Sequence, residues 1–382
     1  MDVTLTEFQT DLRERARQFA ADRLAPHYRE REQLGAVEPQ ARREMGERGF
    51  IAPELPAAFG GRDLERVTSG VLTEEIAAGD FSVAYLQVVG SLVGQILVSS
   101  ARPEVAAGWV PGICRGEHVV GIGLTEPHAG SDAGVPRMTA RRDGEDYVLT
   151  GTKSLSFGND AAAAVIFART GEQQTRGKGI SAFLVPLDAP GVTRESYSDM
   201  GTRAVGRGAV HFDGVRVPAE HLLGPEGKGF SEVMRGFDFS RALIGLQCVG
   251  AAQASVTETW RYVGEREAFD RPLSAFQGVS FPLAEADTRL TAARLLCYRT
   301  LSLKDRGLAH TAEAAMCKWL APKDSFDAIQ NCLLLHGQYG YRTELPLEQR
   351  LRDVLGLQIG DGTAQIMKLI IARERLGREL AP

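Results

Sequence analysis

The chain has 382 residues, 43% of them hydrophobic, so it can bury a large core and is long enough for roughly two or three domains. A net charge of −5 without a basic run predicts no nucleic-acid partner. No apolar stretch reaches the roughly twenty residues of a membrane span and the start does not resemble a leader, so we predict a cytoplasmic protein without membrane contact. Five scattered cysteines predict reduced thiols, and the spacing of the histidines predicts no metal site.

Three zones of different periodicity divide the chain. Apolar residues recur at helical spacing from Thr4 to about Cys114, which predicts a helical domain over residues 1–118. Short alternating or β-branched runs separated by Gly, Asp and Pro turns predict a small antiparallel sheet domain over residues 119–224. Helical spacing returns over residues 225–382, so the fold class is α+β. Strand–helix alternation and a G-x-G-x-x-G motif are absent, which argues against a doubly wound dinucleotide-binding sheet.

Three segments carry residues suited to binding but also have simpler explanations. "GLTEPHAGSD", residues 123–132, follows a predicted strand with hydroxyls and bare amides that suit a ring edge or a phosphate, although a connecting turn is equally compatible. "MGTRAVGRGAVHFDGVRVPAEHLLGPEGKGF", residues 200–230, is compatible with a hairpin and a linker. "YVGEREAFDRPLSAFQ", residues 262–277, places Arg266 and Phe269 on one helical face before a proline ends the helix, and ordinary packing explains such a pair.

A fourth segment, "LGLQIGDGTAQIMKLIIARERLG" (residues 355–377), places Asp361 between two glycines just before a long amphipathic pattern. An acid at this point can satisfy free N–H groups at the start of a helix and favour the positive end of the helix dipole. On these residues alone, helix capping is the better explanation for Asp361.

These four segments occur in the order and rough spacing of the acyl-CoA dehydrogenase family, which the chain resembles. The N-terminal half adds "ELPAAFGGRDL", "TEEIAAGDFS" and "WVPGICRGEHVVGIGLTEP", so the resemblance covers nearly the entire chain. Each motif alone is weak, but their joint order is specific. The resemblance implies an N-terminal helical domain, a middle β-barrel domain and a C-terminal four-helix bundle, assembled as a homodimer or homotetramer around FAD.

The resemblance also implies an FAD site built from these motifs. Leu124 and Thr125 would meet the flavin ring, whereas Arg266 would bind the diphosphate of the neighbouring subunit's FAD. In "KSLSFGND" the family's flavin-edge Thr position falls on Ser156 or on Phe157, and we assign Ser156 because its hydroxyl can bond the flavin. The family's shielding Trp is lost here. The implied cofactor-binding set is Leu124, Thr125, Gly130, Ser131, Ser156, Arg266, Phe269, Gln277, Thr363 and Gln365.

Family members remove the α-hydrogen of an acyl thioester as a proton, while the β-hydrogen leaves as a hydride to flavin N5. The resemblance makes Asp361 the base, with Gly360 and Gly362 allowing close approach of the substrate. Asp238 and Arg241 would lie near the pantetheine, although a structural salt bridge is the alternative. Most members carry Glu where this chain has Asp361. A base shorter by one methylene, about 1.5 Å, predicts a branched, cyclic or otherwise unusual acyl group.

The leading hypothesis is an FAD-dependent acyl-CoA dehydrogenase that passes electrons to an electron-transfer flavoprotein. Three alternatives stay open: a flavin oxidase resembling nitroalkane oxidase, which also uses Asp as its base; a dehydrogenase of a carrier-protein-bound acyl group; and a non-catalytic helical oligomer that has lost flavin. Leu334, Gln338 and Asp270 depart from residues common in the family, and Asp270 adds a negative charge beside Arg266.

Overall fold

Helices form the N-terminal part of the computed structural model, which describes residues 4–171, 177–377 and 379–381. The first helix starts at a capping box in which Thr6 and Gln9 exchange hydrogen bonds. The helices of this part are α1 (Glu7–Phe19), α2 (Tyr28–Leu34), α3 (Pro39–Glu47), α4 (Arg66–Gly79), α5 (Phe81–Ser100) and α6 (Pro103–Cys114).

Most residues of helix α5 are buried. It starts at Asp80, whose carboxylate accepts a hydrogen bond from the N–H of Val83 at 3.0 Å. Its 20 residues are long and apolar enough to cross a membrane by length and composition, so the prediction that no stretch has this character is wrong. However, 83% of its apolar window is buried inside the protein. Hydropathy alone cannot distinguish such a core helix from a membrane span.

The middle part is an eight-stranded sheet with the order β6-β7-β3-β2-β4-β5-β8, and β1 lies beside β4. Its strands are β1 (Val120–Gly123), β2 (Thr139–Asp143), β3 (Asp146–Leu155), β4 (Ala163–Arg169), β5 (Ile180–Pro186), β6 (Val192–Ser196), β7 (Gly208–Pro218) and β8 (Leu222–Leu223). Most neighbours are antiparallel, but β1 pairs with β4 in parallel, and β2 does so at one residue pair. The sheet is therefore mixed rather than purely antiparallel, because an alternating pattern fixes the buried face of a strand and not its direction.

Five further helices follow: α7 (Gly229–Glu265), α8 (Gln277–Asp305), α9 (Thr311–Leu335), α10 (Leu347–Ile359) and α11 (Ala364–Leu376). Helix α7 packs against α8 and α9 and also against α4 and α5, so it joins the two helical parts. A Cβ on Gly250 of α7 would lie 2.2 Å from the carbonyl oxygen of Glu74 on α4, so glycine permits the close approach of these helices. Phe81 and Val88 of α5 belong to the apolar core of the C-terminal helices, whereas other α5 residues belong to the core shared with the sheet.

The segment after α7 differs from its prediction. Arg266 and Phe269 do not share a helical face, because α7 ends at Glu265. The chain forms a small hairpin of β9 (Glu267–Ala268) and β10 (Arg271–Pro272), and Phe269 lies at its turn with a φ of 53°. The N–H of Leu273 closes this hairpin on the carbonyl oxygen of Arg266 at 2.8 Å. The backbone therefore leaves the helix before the proline that was expected to end it.

A buried carboxyl group joins the three parts of the fold. Asp353 of α10 accepts hydrogen bonds from the phenol of Tyr28 and from the N–H of Thr202, each at 2.5 Å. Tyr28 belongs to the N-terminal helices, and Thr202 belongs to the loop between β6 and β7. Burial raises the pKa of Asp353 to about 7. Helix α10, which leads directly to Asp361, is thereby held against the rest of the molecule.

Candidate active site

Asp361 lies at a sharp corner between α10 and α11. It has a φ of 55°, in the left-handed region, and Gly362 follows with a φ of 101°. This φ favours glycine at position 362, where an added Cβ would also lie 2.5 Å from Cε at the flexible end of Met367. Gly360 has an ordinary φ of −62°, and a Cβ there would meet ordinary van der Waals contacts, so the corner itself does not require glycine at this position.

The side chain that caps α11 belongs to Thr363. Its hydroxyl oxygen accepts a hydrogen bond from the N–H of Ile366 at 3.4 Å. The interpretation of Asp361 as a helix cap is therefore wrong, because Thr363, two residues further along the chain, performs that role. The carboxylate of Asp361 is half-buried and remains available for another contact.

Three side chains from separate helices face this carboxylate. The phenol of Tyr85, on α5, donates a hydrogen bond to Oδ2 of Asp361 at 3.4 Å. Lys318 of α9 and Arg241 of α7 act on it through their positive charges. Burial raises the pKa of Asp361, and Lys318, Arg241 and Tyr85, in that order, oppose the rise.

Lys318 holds the corner in place. Its side chain is buried, and its Nζ donates to the carbonyl oxygens of Leu357 at 2.5 Å and of Gly362 at 3.1 Å. The two carbonyls lie on either side of Asp361 in sequence, so this lysine ties the end of α10 to the corner. Burial lowers the pKa of Lys318 to about 8, while Asp361 raises it.

Asp238 and Arg241 form the salt bridge that was the alternative to a substrate contact. Arg241 Nη1 lies 2.8 Å from Oδ1 of Asp238, and the hydroxyl of Thr311 donates to Oδ2 of Asp238 at 2.6 Å. Both charged side chains are buried. Within the described ranges, Nε of Arg241 is buried without a hydrogen-bond partner. Nε of Arg13, Arg42 and Arg66 is in the same state, but among these arginines Arg241 alone acts on Asp361 by charge.

The "GLTEP" segment is fixed from beneath. Lys153 is fully buried, and its Nζ donates to the carbonyl oxygen of Leu124 at 3.1 Å and to Oε1 of Glu126 at 2.7 Å. The N–H of Ser154 donates to the carbonyl oxygen of Thr125 at 2.9 Å. These bonds hold the backbone, while the Thr125 side chain stays exposed. The Thr125 hydroxyl has no hydrogen-bond partner among the residues that the structure describes.

The neighbouring residues Gly130 and Ser131 are also exposed. A Cβ on Gly130 would meet nothing within 4 Å, so open space lies beside this part of the loop. No described residue bonds the Ser131 hydroxyl. A fixed backbone with free hydroxyls and open space above it fits the polar edge and phosphates of FAD.

Ser156 and Phe157 follow the end of β3 and differ in burial and in the part of Tyr85 that they meet. Phe157 has a φ of 56°, is buried, and stacks on the ring of Tyr85 with centroids 6.0 Å apart and an interplanar angle of 24°. Ser156 is half-buried and lies within reach of the Tyr85 phenol. Ser156 thus joins the Asp361 group through Tyr85, whereas Phe157 supports the ring.

Three predicted cofactor residues lie far from this group. Arg266, Phe269 and Gln277 are exposed, and Phe269 is 88% exposed. Arg241 and Arg266 lie 25 residues apart along α7, which at about 1.5 Å per residue is about 37 Å. Gln365, by contrast, is exposed in the first turn of α11, close to the corner. The predicted residues therefore form two separate groups, one near Asp361 and one at Arg266, Phe269 and Gln277.

Sequence reasoning missed Tyr85, Lys318 and the pair of Lys153 and Glu126. The signal for Lys318 was a lone lysine inside the apolar helical pattern "AEAAMCKWLA", and a buried lysine of this kind needs partners. Tyr85 gave no local signal, because its neighbours on α5 are apolar core residues. The predicted reduced thiols are confirmed, since all five cysteines are free and buried.

Comparisons with known proteins match the chain over nearly its whole length. Residues 6–117, 121–215 and 227–376 match the N-terminal, middle and C-terminal domains of acyl-CoA dehydrogenase. The chain is 34% identical to a probable acyl-CoA dehydrogenase, YngJ, of Bacillus subtilis, over 98% of this chain and 100% of the relative.

Two solved structures extend the likeness. The butyryl-CoA dehydrogenase of Megasphaera elsdenii superposes with a TM-score of 0.94 at 29% identity, covering 98% of this chain and 100% of that one. A glutaryl-CoA dehydrogenase of Mycobacterium smegmatis in complex with FADH2 gives a TM-score of 0.92 at 27% identity, with 98% and 96% covered. The predicted fold is confirmed, and the chain belongs to the FAD-dependent acyl-CoA dehydrogenase family.

Proposed function

We propose that this protein oxidises the Cα–Cβ bond of an acyl-CoA thioester and that Asp361 is the base. The observation that carries the proposal is the corner itself: a carboxylate that does not cap its helix lies where three helices bring Tyr85, Lys318 and Arg241 together. Such convergence of charged and polar groups on one half-buried acid is typical of catalytic sites.

The surroundings of Asp361 suit proton abstraction from a weak carbon acid. A carboxylate with a pKa near 4 holds a proton poorly. Burial raises the pKa of Asp361, which favours the protonated product, while Lys318 and Arg241 keep enough negative charge on it before the substrate binds. The backbone N–H of Asp361 would donate to the thioester oxygen and stabilise the enolate that forms as the α-proton leaves.

The loop that Lys153 anchors, residues 124–131, suits FAD. When bound, FAD supplies the acceptor for the β-hydrogen as a hydride. Leu124 and Thr125 would meet the flavin ring, Ser156 its edge and Ser131 the pyrophosphate, with Gly130 leaving room for it. The free hydroxyls and the fixed backbone support this assignment. Thr363 and Gln365 would hold the cofactor next to Asp361.

Arg266, Phe269 and Gln277 would bind the FAD of a second subunit. The length of α7 supports this, because about 37 Å separates Arg266 from the level of Arg241, which acts on Asp361 in the same chain. A guanidinium suits a diphosphate in both charge and geometry. The active form would then be a homodimer or a homotetramer.

The substrate would carry a branched, cyclic or otherwise unusual acyl group. Asp361 reaches about 1.5 Å less far than a glutamate would, and a substituent at the α-carbon brings the substrate closer to it. Arg241, with its unpartnered Nε, and Asp238 would lie beside the pantetheine, and Gly362 beside the acyl group. A carrier-protein thioester would present the same chemistry through a different entrance.

Electron-transfer flavoprotein is the proposed acceptor, and the cytoplasm the proposed location. An oxidase would instead consume oxygen when substrate is added, so an oxygen electrode separates the two activities. A non-catalytic oligomer would be colourless after purification, whereas the proposed enzyme is yellow.

The decisive experiment is anaerobic titration with butyryl-, octanoyl-, branched and cyclic acyl-CoA thioesters while flavin absorbance is followed. We expect bleaching with the branched or cyclic group and at least about a hundredfold slower bleaching in Asp361→Asn. Asp63→Asn is the matched control, because Asp63 also has a left-handed φ, 51°, but is exposed in the N-terminal part. Equal rates for Asp361→Asn and wild type would refute the base, and preference for butyryl- or octanoyl-CoA would refute the substrate class.

A further inference from the structure

Tyr85 is the side chain that touches the proposed base most directly. Its phenol oxygen lies 3.4 Å from Oδ2 of Asp361. This distance is long for an O–H···O bond, but hydrogen bonds at catalytic groups commonly tighten when substrate binds. Among the residues that the structure describes, no other side chain makes a hydrogen bond to this carboxylate. Lys318 bonds to backbone carbonyls and Arg241 to Asp238, so the two cations act on Asp361 by charge alone.

The phenol is held from two directions. Its helix, α5, contributes to the cores on both sides, so the backbone at Tyr85 is fixed. Its ring stacks on Phe157, which is itself buried and anchored by a 2.9 Å hydrogen bond from its N–H to the carbonyl oxygen of Val205. A donor on so rigid a support fixes the acceptor that it meets.

The chemistry of the phenol restricts its role. Burial and the charge of Asp361 raise the pKa of Tyr85, so the phenol stays protonated and serves as a donor rather than as a second base. Its O–H reaches the carboxylate of Asp361. That leaves the other oxygen, Oδ1, without a described partner and free to face a substrate carbon.

We propose that Tyr85 is a positioning residue that holds Oδ2 of Asp361 so that Oδ1 faces the α-carbon of the acyl group. This inference rests on the proposed role of Asp361 as the base. It assigns to the N-terminal helices a direct part in the chemistry of a carboxylate carried by the C-terminal ones. The shorter acid makes such a holder more important, because a misplaced base loses rate steeply with distance.

The charged groups around this pair set the expected pH dependence. Lys318 and Arg241 face Asp361, while Ser156 and Arg207 act on the phenol of Tyr85. The phenol favours the ionised form of Asp361, because its hydrogen bond is stronger to a carboxylate than to a carboxylic acid. Its loss should therefore raise the pKa of Asp361 and move the acid limb of the rate profile to higher pH.

The test is the variant Tyr85→Phe, which keeps the ring and its stacking on Phe157. With the best thioester found, we expect kcat to fall about 3- to 10-fold with KM nearly unchanged, and the acid limb of kcat/KM to move up by about half a pH unit. Tyr298→Phe is the matched control: it removes a phenol–carboxylate hydrogen bond of 2.8 Å, to Glu74, away from the corner, and should leave both readouts as in wild type.

A second comparison separates positioning from a general effect on folding. In the Asp361→Asn background, Tyr85→Phe should change the residual bleaching rate less than twofold, because the group through which it acts is gone. A full effect of Tyr85→Phe in that background, or an unchanged kcat and acid limb in the single variant, would overturn the inference. An active Asp361→Asn enzyme would instead refute the proposed base, whatever Tyr85→Phe shows.

Discussion

Replacing Lys153 by methionine should destabilise the protein far more than an average substitution. Lys153 is fully buried, and Nζ lies 2.7 Å from Oε1 of Glu126 and 3.1 Å from the carbonyl oxygen of Leu124. Glu126 is 5% exposed and also accepts from the N–H groups of Arg137 and Met138. Methionine fills nearly the same volume, so the loss is electrostatic rather than a cavity.

The magnitude follows from the group left behind. Removing one partner of a buried ion pair leaves the other charge without compensation, which costs about 3–5 kcal/mol of unfolding free energy. The two N–H donors of Arg137 and Met138 remain and offset part of this cost. We therefore expect a loss of about 3 kcal/mol, together with weaker flavin retention, since the carbonyl of Leu124 loses its anchor.

Urea unfolding followed by circular dichroism, with flavin content measured in parallel, checks this prediction. The double variant Lys153→Met with Glu126→Gln should regain about half of the loss, because glutamine keeps an acceptor oxygen without the charge. A loss below about 1 kcal/mol in the single variant, or a double variant less stable than the single one, would refute the reasoning about the uncompensated charge.

Three further predictions concern the corner and its supports. Asp353 has a pKa raised to about 7, so the folded state binds its proton more tightly than the unfolded state between about pH 4 and pH 7, and the free energy of unfolding declines as pH rises through that window. Asp353→Asn should flatten this decline in urea unfolding at stepped pH. An unchanged slope would contradict the prediction. Gly362→Ala should lower kcat about 10- to 100-fold, because a φ of 101° is strained for alanine and relief of that strain would displace Asp361. Wild-type turnover in this variant would contradict the reasoning. Lys318→Met should raise the pKa of Asp361 and shift the acid limb of kcat/KM upward by about one pH unit. An unchanged acid limb would show that the charge of Lys318 does not affect the ionisation of Asp361.

Much of the fold could be predicted because its signals are local. Helical spacing and alternating runs follow the periods of the backbone, and they indicated the order of helices, sheet and helices. The hairpin at Glu267–Pro272 could not be predicted, since strands of two residues are too short to show a period. Likewise, the apolar composition of α5 does not reveal whether its neighbours are lipid or protein.

The candidate site likewise contains residues that the sequence could predict and residues that only the packing reveals. Asp361 was predictable because the glycine after it and the helix that follows mark a constrained corner in the sequence itself. Tyr85 and Lys318 come from helices that lie far from Asp361 in the chain, so only the packing of α5 and α9 brings them to it. The capping role of Thr363 depends on side-chain geometry at the corner, and the sequence analysis considered only Asp361 for that role.

The four charged side chains at the corner sum to zero before reaction, because Lys318 and Arg241 balance Asp238 and Asp361. If Asp361 takes up a proton, one unit of positive charge is left over on the buried side chains of Lys318 and Arg241. In the proposed reaction, that surplus would compensate the negative charge that develops on the substrate as the α-proton leaves. These four side chains would thus change their net charge as the α-proton is transferred, and only a hydrogen would have to move.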